Sequence, residues 1–313
     1  MAGHIQNIIP TILVAHVVYL ECGRLEHHTN KLFLTRTTLI MEKKISIITV
    51  CYNCKEAIIN TLNSVKSLSY SNLEYIVIDG GSTDGTKDII EQYKDCVNYF
   101  VSERDRGIYD AMNKGIMAAT GEWLIFMNAG DFFTNRNTIG EFMRFVDDDT
   151  VVAYGDIIRQ RKGYYYLDKP AGVTKTSEKM PVFHQASFIK ASYHKQHLFD
   201  SSFRSSGDYN FFYNCFLHDH CKFQYIPVAV ACFDDSEGMS KDNHALSLRE
   251  NLRIWGREHD YLYCLKQEYQ LKVFSIVMWI KRNLLSKNDS MQVEIRRLRK
   301  EGKQCVEGYY TSK

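Results

Sequence analysis

The feature that most constrains this chain is an alternation of short apolar runs with helical patterns between residues 44 and 156. Such runs predict buried strands, and the apolar positions three and four residues apart that separate them predict helices. Strands that alternate with helices form mostly parallel sheets covered on both faces. The sequence therefore predicts an α/β fold with a mostly parallel central sheet flanked by helices. The predicted strands cover residues 45–50, 73–78, 99–101, 123–127 and 151–154, and the predicted helices cover 57–68, 86–94 and 108–119, the last ended by Gly121.

The regular alternation stops near residue 156, which divides the chain. The segments "YYYLDKP" and "PVFHQASFI" indicate an irregular or antiparallel section, whereas 207–220 returns to a helical pattern. We expect a poorly structured extension over residues 1–40, a main α/β domain over 41–240 and a helical C-terminal extension over 241–313.

Composition and charge narrow the function classes. The net charge of +2 supplies no broad field for nucleic acid, so we expect no nucleic-acid partner. The nine cysteines are odd in number and lie mostly in apolar runs, as reduced thiols of a cytoplasmic protein do. The apolar run over residues 8–20 is shorter than the ~20 residues that span a bilayer, and no basic segment precedes it. We therefore expect neither a signal peptide nor a membrane span there.

Polar clusters follow four of the predicted strands directly. They are "CYN" at 51–53, "DGGSTDG" at 79–85, "ERDRG" at 103–107 and "NAGD" at 128–131. In open α/β sheets, ligands bind outside the carboxyl ends of the strands. The sequence therefore predicts a ligand site at this edge of the sheet.

The first two clusters suit a nucleotide. Tyr52 offers an aromatic face for a base, Asn53 suits the turn, and Asp79 can accept a hydrogen bond from a base N–H or a ribose hydroxyl. Asp84 lies near a helix start. The glycines match neither the dinucleotide fingerprint nor the P-loop, and an ordinary strand–turn–helix cap is an equal alternative.

Two groups of cysteines could indicate a redox pair or a zinc site, and both interpretations are disfavoured. "CYNC" at 51–54 matches C-x-x-C, but the aromatic residue between the thiols and the lack of any thioredoxin-like context argue against a redox pair. A zinc site formed by Cys215, His218, His220 and Cys221 is disfavoured, because helical spacing does not put all four on one face.

Four motifs occur in order: "ISIITVCYN", "VIDGGSTDGT", "SERDRGIYDAMNKGIMAATGEW" and "LIFMNAGD". With them the chain resembles the nucleotide-diphospho-sugar transferases of glycosyltransferase family 2, which have the GT-A fold. Within that family it is similar to bacterial enzymes of the colanic-acid type, which build surface polysaccharides. The resemblance extends over roughly residues 44–240. It implies a GT-A fold for the main domain and an inverting transfer of sugar from a nucleotide-diphospho-sugar, most simply a UDP-sugar, to a saccharide.

The resemblance assigns roles on the donor side. It implies that Tyr52 packs on the base, that Asp79 accepts from the base ring, and that Arg104 or Asp105 lines the pocket. The acidic metal motif of the family falls on 128–131, where Asn and Gly replace two acidic positions and leave only Asp131. Mg²⁺ or Mn²⁺ accepts coordination shared between one carboxylate, phosphate oxygens and water. We therefore expect Mg²⁺ or Mn²⁺ at Asp131, with the small residues 129 and 130 leaving room for the diphosphate.

The resemblance also implies an acceptor side. His184, in "FHQASF", would line the acceptor pocket, although a lone histidine is often structural. Asp208, in "SSGDYNFF", would be the catalytic base, although it could be an ordinary N-cap; Asp156 is its competitor. The loop 234–240 would close over the diphosphate, with Gly238 permitting movement.

The acceptor would be a saccharide on a lipid carrier at the inner face of the cytoplasmic membrane. Residues 271–285 suit a helix lying on that membrane, or one packed on the main domain. Two other functions stay open at this point. One is a nucleotidyltransferase, although its usual Gly-rich basic loop is missing after the first strand. The other is a non-catalytic sugar-nucleotide-binding protein, which the depleted acidic motif suggests.

Overall fold

The computed structural model describes most of the chain from residue 42 to residue 260. The described residues are 42–161, 164–172, 182–234 and 244–260, with separate positions between 263 and 276 and at 305–306. All elements below belong to one compact unit that begins at Lys43. The strands are β1 Ile45–Cys51, β2 Leu73–Asp79, β3 Tyr99–Ser102, β4 Trp123–Phe126, β5 Phe132–Phe133, β6 Val152–Arg161, β7 Tyr164–Asp168, β8 Ser187–Lys190, β9 Phe223–Asp234 and β10 Cys305–Val306. The helices are α1 Ala57–Lys66, α2 Thr86–Glu91, α3 Ile108–Ala118, α4 Thr138–Met143, α5 Ala191–His194, α6 Gly207–Leu217 and α7 His244–Ile254, with a 3₁₀ turn at His184–Ala186.

The N-terminal half of the sheet is parallel, as the alternation predicts. The strand order is β4-β1-β2-β3, and every pair in this half is parallel. The register places Cys51, Asp79 and Ser102 side by side on three neighbouring strands. The carboxyl ends of these strands therefore share one edge of the sheet, where the polar clusters were expected to meet.

Two hydrophobic cores cover the two faces of this half. Along β1, Ile45 and Ile47 pack into one core, and Ile48 and Val50 pack into the other, because successive side chains of a strand point to opposite faces. The first core lies under α1, α2 and α4, and the second lies under α3 and α6. Loops at the carboxyl edge can therefore be held from either face.

The second half of the sheet is mixed, which confirms the irregular or antiparallel section. β8 runs antiparallel to both β4 and β6, and β6 also pairs with β7 and, in parallel, with β9. The β6–β9 register shifts around Gly155, where a Cβ would lie 2.4 Å from the Val228 carbonyl oxygen. Glycine is required there because the backbones of the two strands approach so closely.

Gly121 does not end α3, so that expectation is wrong. The helix ends at Ala118 with Ala119 as its C-cap, and the backbone leaves in an extended conformation. A Cβ on Gly121 would stand 2.6 Å from the Ser46 Oγ and 2.7 Å from its backbone nitrogen. This glycine is therefore needed for close packing against β1 rather than for a left-handed turn.

Several expectations lie outside the described residues. They concern the extension 1–40, the loop 234–240 beyond its first residue, and most of the segment 271–285. Within the described part of the chain, no helix is long and apolar enough to cross a membrane.

Candidate active site

Tyr52, Gly80 and Asp105 come together at the carboxyl edge of β1 to β3. A Cβ on Gly80 would lie 3.1 Å from Asp105 Oδ2 and 3.3 Å from Tyr52 Cδ2, so the bare glycine lets the ring and the carboxylate approach each other across it. The Tyr52 side chain is 64% exposed. The exposed Tyr52 ring can stack on a planar ligand group, and the neighbouring Asp105 carboxylate can accept a hydrogen bond from the same group.

Asp79 is fully buried at the end of β2 and accepts hydrogen bonds from its own chain. Its Oδ2 accepts from the Ser82 backbone N–H at 3.0 Å and from the Ser102 hydroxyl at 2.6 Å. Its Oδ1 accepts from the Ser82 hydroxyl and, at 3.6 Å, from the Cys51 thiol. Burial opposes ionisation, but these hydrogen bonds outweigh it and hold the pKa of Asp79 below its usual value. The carboxylate thereby organises the turn that forms the pocket.

Asn53 fixes the neighbouring turn, as its sequence position suggested. It has a left-handed backbone conformation with φ of 46°, which asparagine tolerates better than most residues. Its backbone N–H donates to the Ser82 hydroxyl at 2.7 Å, and its side-chain oxygen accepts from the Thr83 N–H at 2.9 Å. The loops after β1 and β2 are thus joined into one wall.

Asp84 also joins the loops after β1 and β2, close to the start of α2. It accepts from the backbone N–H of Thr86 and of Lys55, both at 3.0 Å, and from the Thr86 hydroxyl at 2.6 Å. The Thr86 hydroxyl and these backbone donors lower the pKa of Asp84 to about 2. The acid is therefore ionised at any physiological pH and stabilises the loops around the start of α2.

In the loop after β3, the neighbouring residues Arg104 and Asp105 have different surroundings. Asp105 is nearly buried, receives a hydrogen bond from Lys114 on Oδ1, and turns Oδ2 towards Gly80. Lys114 also pairs with Glu103 at 2.6 Å. The Arg104 side chain is exposed, while its backbone nitrogen packs 3.4 Å from the Cβ position of Gly81. Of the two candidates, Asp105 is the one whose side chain lies beside Gly80.

The turn at 128–131 is held against α1. The Thr61 hydroxyl donates to the Asp131 backbone oxygen at 2.7 Å and accepts from the Gly130 N–H at 3.0 Å. Gly130 has a φ of +101°, and a Cβ there would meet only the Ala57 methyl, at 3.8 Å. The turn is compact because it uses a left-handed glycine, and it leaves space beside Gly130.

The oxygen donors of this turn suit Mg²⁺ or Mn²⁺ if other ligands join them. Asn128 Oδ1 is buried and makes no hydrogen bond to any described residue, and Asp131 lies three residues further on in the same turn. Burial and the charge of Asp131 raise the pKa of the adjacent Cys232 thiol to about 12, so that thiol stays protonated. Among the described residues, no three His, Cys, Asp or Glu side chains cluster as metal ligands, the disfavoured zinc set at 215–221 included. The chain can thus supply one or two oxygen ligands, and a diphosphate would supply the rest.

Asp208 lies at the second position of α6, and Ser206 is the N-cap, so the reading of Asp208 as N-cap is wrong. Its Oδ1 accepts from the Tyr109 hydroxyl at 3.1 Å. A Cβ on Gly207 would stand 2.8 Å from the Tyr109 ring, so this glycine makes room for Tyr109 rather than for an acceptor. Burial, followed by the charge of Asp208, raises the pKa of Tyr109, which keeps its hydroxyl a donor.

His184 stands beside Asp208. Its Nδ1 is 4.0 Å from Asp208 Oδ2, and its ring packs on Phe126 with centroids 5.6 Å apart. Its Nε2 is buried and has no hydrogen-bond partner among the described residues. Burial lowers the pKa of His184, although the Asp208 charge partly opposes this, so the ring is neutral near pH 7.

Asp156, the competitor of Asp208, is buried on β6. Its Oδ1 accepts from the Tyr225 hydroxyl at 2.8 Å. Burial raises its pKa, and the hydrogen bond from Tyr225 only partly offsets this. A carboxylate enclosed in this way is less suited than Asp208 to meet a substrate hydroxyl.

Asp131 and Asp208 reach the carboxyl edge from opposite faces of the sheet. The turn of Asp131 is bonded to α1 in the first core, whereas Asp208 begins α6, which packs in the second core. Sequence reasoning missed Tyr109, which supports Asp208. Its signal was present, since Tyr109 follows the "ERDRG" cluster and opens α3, but only the fold brings positions 109 and 208 together.

The fold is the GT-A fold of nucleotide-diphospho-sugar transferases, which similar solved glycosyltransferases share. The family model described as Glycosyl transferase family 2 matches residues 46–215, which is more than half of the chain. The chain belongs to glycosyltransferase family 2 and is a glycosyltransferase.

Three known proteins illustrate the similarity. A PGL/p-HBAD biosynthesis glycosyltransferase of Mycobacterium tuberculosis is 27% identical over 201 residues, which cover 62% of this chain and 78% of the relative. The Escherichia coli UDP-Glc:alpha-D-GlcNAc-diphosphoundecaprenol beta-1,3-glucosyltransferase WfaP is 29% identical over 153 residues, or 47% of this chain and 55% of WfaP. The mannosyltransferase PcManGT of Pyrobaculum calidifontis, solved with GDP-Man and Mn2+, shares the fold with a TM-score of 0.53 and 15% identity, over 82% of this chain and 80% of that one.

Proposed function

We propose that this glycosyltransferase inverts the anomeric carbon as it moves a sugar from a UDP-sugar to a lipid-linked saccharide in the assembly of a bacterial surface polysaccharide. The observation that carries the proposal is the approach of Asp131 and Asp208 to one edge of the sheet from opposite faces. A single displacement needs the base and the leaving diphosphate on opposite sides of the anomeric carbon, and two acids held from opposite faces of the sheet suit this requirement. WfaP supports the donor and acceptor classes, since its name gives UDP-Glc and a diphosphoundecaprenol-linked sugar.

The donor's base would stack on Tyr52 and bond towards Asp105 and the turn that Asp79 organises. Tyr52 is exposed and ready for contact, whereas Asn53 and Asp84 hold the two loops in place. Arg104, exposed at the rim, would meet the phosphates or the ribose. In this proposal, some of the candidate residues contact the donor, and the others hold the loops that carry them.

Asp208 would act as general base on the acceptor hydroxyl. A hydroxyl is a weak nucleophile, and proton transfer to a positioned carboxylate contributes typically 10²–10⁴-fold. The Tyr109 hydroxyl fixes Oδ1, which leaves Oδ2 on the side of His184. The neutral His184 ring would line the acceptor pocket and orient the hydroxyl through hydrogen bonding.

Asp131, with Asn128 nearby, would help to hold a divalent ion. Mg²⁺ or Mn²⁺ bound there would neutralise charge that develops on the leaving diphosphate. The small residues at 129 and 130 leave space for the diphosphate, and Thr61 keeps the turn in shape.

We infer a cytoplasmic location with contact at the inner face of the membrane. Four positions that are helical in the structure expose apolar side chains at spacings of four, four and three residues: Leu265, Tyr269, Val273 and Ile276. This spacing places them on one side of a helix, and a helix with an apolar side suits a membrane surface. Flotation with anionic vesicles tests the contact. Co-flotation that is lost on truncation after residue 268 supports it, and failure of the intact protein to float contradicts it.

Release of nucleoside diphosphate tests the transfer itself. The purified protein is incubated with UDP-glucose, UDP-N-acetylglucosamine, UDP-galactose or GDP-mannose, with and without a GlcNAc-diphospholipid acceptor, in Mn²⁺, Mg²⁺ or EDTA. We expect UDP release from a UDP-sugar that rises with divalent metal and acceptor. Asp131→Ala should abolish the metal-dependent rate, and Asp208→Asn should lower turnover at least about a hundredfold with little change in donor affinity. The exposed Asp148→Asn is the control. Normal turnover of Asp208→Asn would move the base to Asp156.

A further inference from the structure

Glu250, on α7, makes an unusual set of contacts with the segment before α6. Its Oε1 accepts from the Arg204 backbone N–H at 2.7 Å, and its Oε2 accepts from the backbone N–H groups of Ser205 and Ser206 at 2.9 and 2.8 Å. The Glu250 side chain is buried. One carboxylate thus binds three consecutive backbone donors.

Of the three donors, the Ser206 N–H belongs to the N-cap of α6, and the other two lie directly before it. The first N–H groups of a helix lack partners within it, and Ser206, the N-cap of α6, makes no side-chain capping bond. A negative charge at a helix N-terminus is also stabilised by the helix dipole. A residue more than forty positions further along the chain therefore holds the N-cap of α6 and the two residues before it.

The same segment is bonded to the other side of the site. The Arg204 guanidinium donates to the Arg106 carbonyl at 2.6 Å, directly before Gly107, the N-cap of α3. α3 carries Tyr109, whose hydroxyl donates to Asp208 at the start of α6. Glu250, segment 204–206, α6 and α3 therefore form a closed circuit of contacts around the Tyr109–Asp208 pair.

Further contacts fasten α7 and the turn after it to the same region. The hydroxyls of Ser247 and Ser205 are 2.8 Å apart, and the Trp255 indole N–H donates to the Tyr209 hydroxyl at 2.8 Å. These contacts leave Glu250 little freedom to follow a shift of the segment. The position of the Glu250 carboxylate therefore affects the position of the first residues of α6.

We propose that Glu250 is a positioning residue for Asp208. The inference rests on the proposed role of Asp208 as base. The carboxylate is required because three donors converge on its two oxygens. A glutamine would present an NH₂ group to at least one N–H, which opens the contact and turns the first residues of α6. A misplacement of about 1 Å can cost up to about 10²-fold in rate.

A double-mutant cycle on turnover tests this. UDP release is measured with the donor that wild type uses fastest, for wild type, Glu250→Gln, Asp208→Asn and the double variant, and UDP affinity is measured by calorimetry. We expect Glu250→Gln to lower kcat about tenfold or more with unchanged UDP affinity, and to lower it less than about twofold in the Asp208→Asn background. Glu258→Gln, an exposed change beyond the end of α7, is the matched control and should have no effect.

The outcomes separate the two proposals. An equal loss in both backgrounds, or no loss in either, overturns the positioning role of Glu250 while the base assignment stands. Wild-type turnover of Asp208→Asn overturns the base assignment itself, and the positioning role with it. If Glu250→Gln does not fold, Glu250→Asp carries the same test. It keeps the charge but is too short to reach all three donors, so its loss of kcat should again vanish in the Asp208→Asn background.

Discussion

Replacement of Gly207 by alanine is the sharpest test of how Tyr109 packs against the start of α6. The new methyl group would stand 2.8, 2.8 and 2.9 Å from three ring carbons of Tyr109, closer than real Cβ contacts come. Tyr109 cannot simply move aside. Its ring is buried against Phe199, with centroids 5.5 Å apart, and its hydroxyl is bonded to Asp208.

The expected cost follows from these contacts. Overpacking of a buried site costs about 1–3 kcal/mol, and alanine regains up to about 1 kcal/mol over glycine in a helix. We therefore expect Gly207→Ala to lower the free energy of unfolding by about 1–2 kcal/mol. Turnover should fall as well, because a displaced Tyr109 no longer holds Asp208.

Urea denaturation and UDP release measure the two effects. Gly140→Ala in α4 is the matched control, because its new methyl group would meet only Tyr70 Cδ2, at 3.8 Å. That variant should be as stable as wild type or up to about 1 kcal/mol more stable, with normal turnover. If Gly207→Ala behaves like Gly140→Ala in both assays, the packing of Tyr109 on α6 does not hold the site.

Two further predictions concern the pocket and the core. Tyr52→Ala should weaken UDP binding about 5- to 150-fold in calorimetry, which corresponds to the ~1–3 kcal/mol of base stacking. The control Tyr99→Ala, at the opposite edge of the sheet, should bind UDP normally. Equal affinities of the two variants would contradict the stacking role. Burial holds the pKa of His194 at about 4 in the folded protein, against about 6.5 when unfolded, so only the unfolded chain gains this proton between those values. Its contribution to stability is therefore complete above about pH 6.5 and is lost by up to about 1.4 kcal/mol per pH unit towards pH 4; His194→Gln should flatten that slope in urea titrations, and an unchanged slope would contradict the assignment.

The parallel half of the sheet was predictable because its signals are local. The apolar runs at 45–50 and 73–78 each fix a buried strand, and the turn residues after them fix where the strands end. Parallel pairing then brings the carboxyl ends to one edge, which the register of Cys51, Asp79 and Ser102 confirms. The polar clusters could be placed together without knowing any side-chain contact.

The mixed half was not predictable in detail, since its pairings join distant segments. β5, two residues long, pairs with β9 about a hundred residues later, and β6 pairs with β9 through a shifted register at Gly155. No local pattern encodes such partners. For the same reason, no sequence pattern indicates that Glu250 binds the segment before α6.

The sequence motifs predict where the candidate carboxylates lie but not which groups they bind. Asp79 and Asp84 stand at strand and turn positions that suit ligand contact, yet both bind donors of their own chain. Asp105 and Asp208 each bind a donor through Oδ1 and turn Oδ2 towards Gly80 and His184, respectively. Sequence position decides that an acid reaches the edge of the sheet, but only neighbouring donors decide whether it faces a ligand or a loop.

The anomeric configuration of the product tests the central claim most directly. The claim is a single displacement, with Asp131 on the side of the leaving diphosphate and Asp208 on the opposite side. Proton NMR of the reaction with the accepted α-linked UDP-sugar and acceptor, followed from the first minutes, reports the configuration of the new bond. The account predicts a β-linked product, whereas an α-linked product would contradict it.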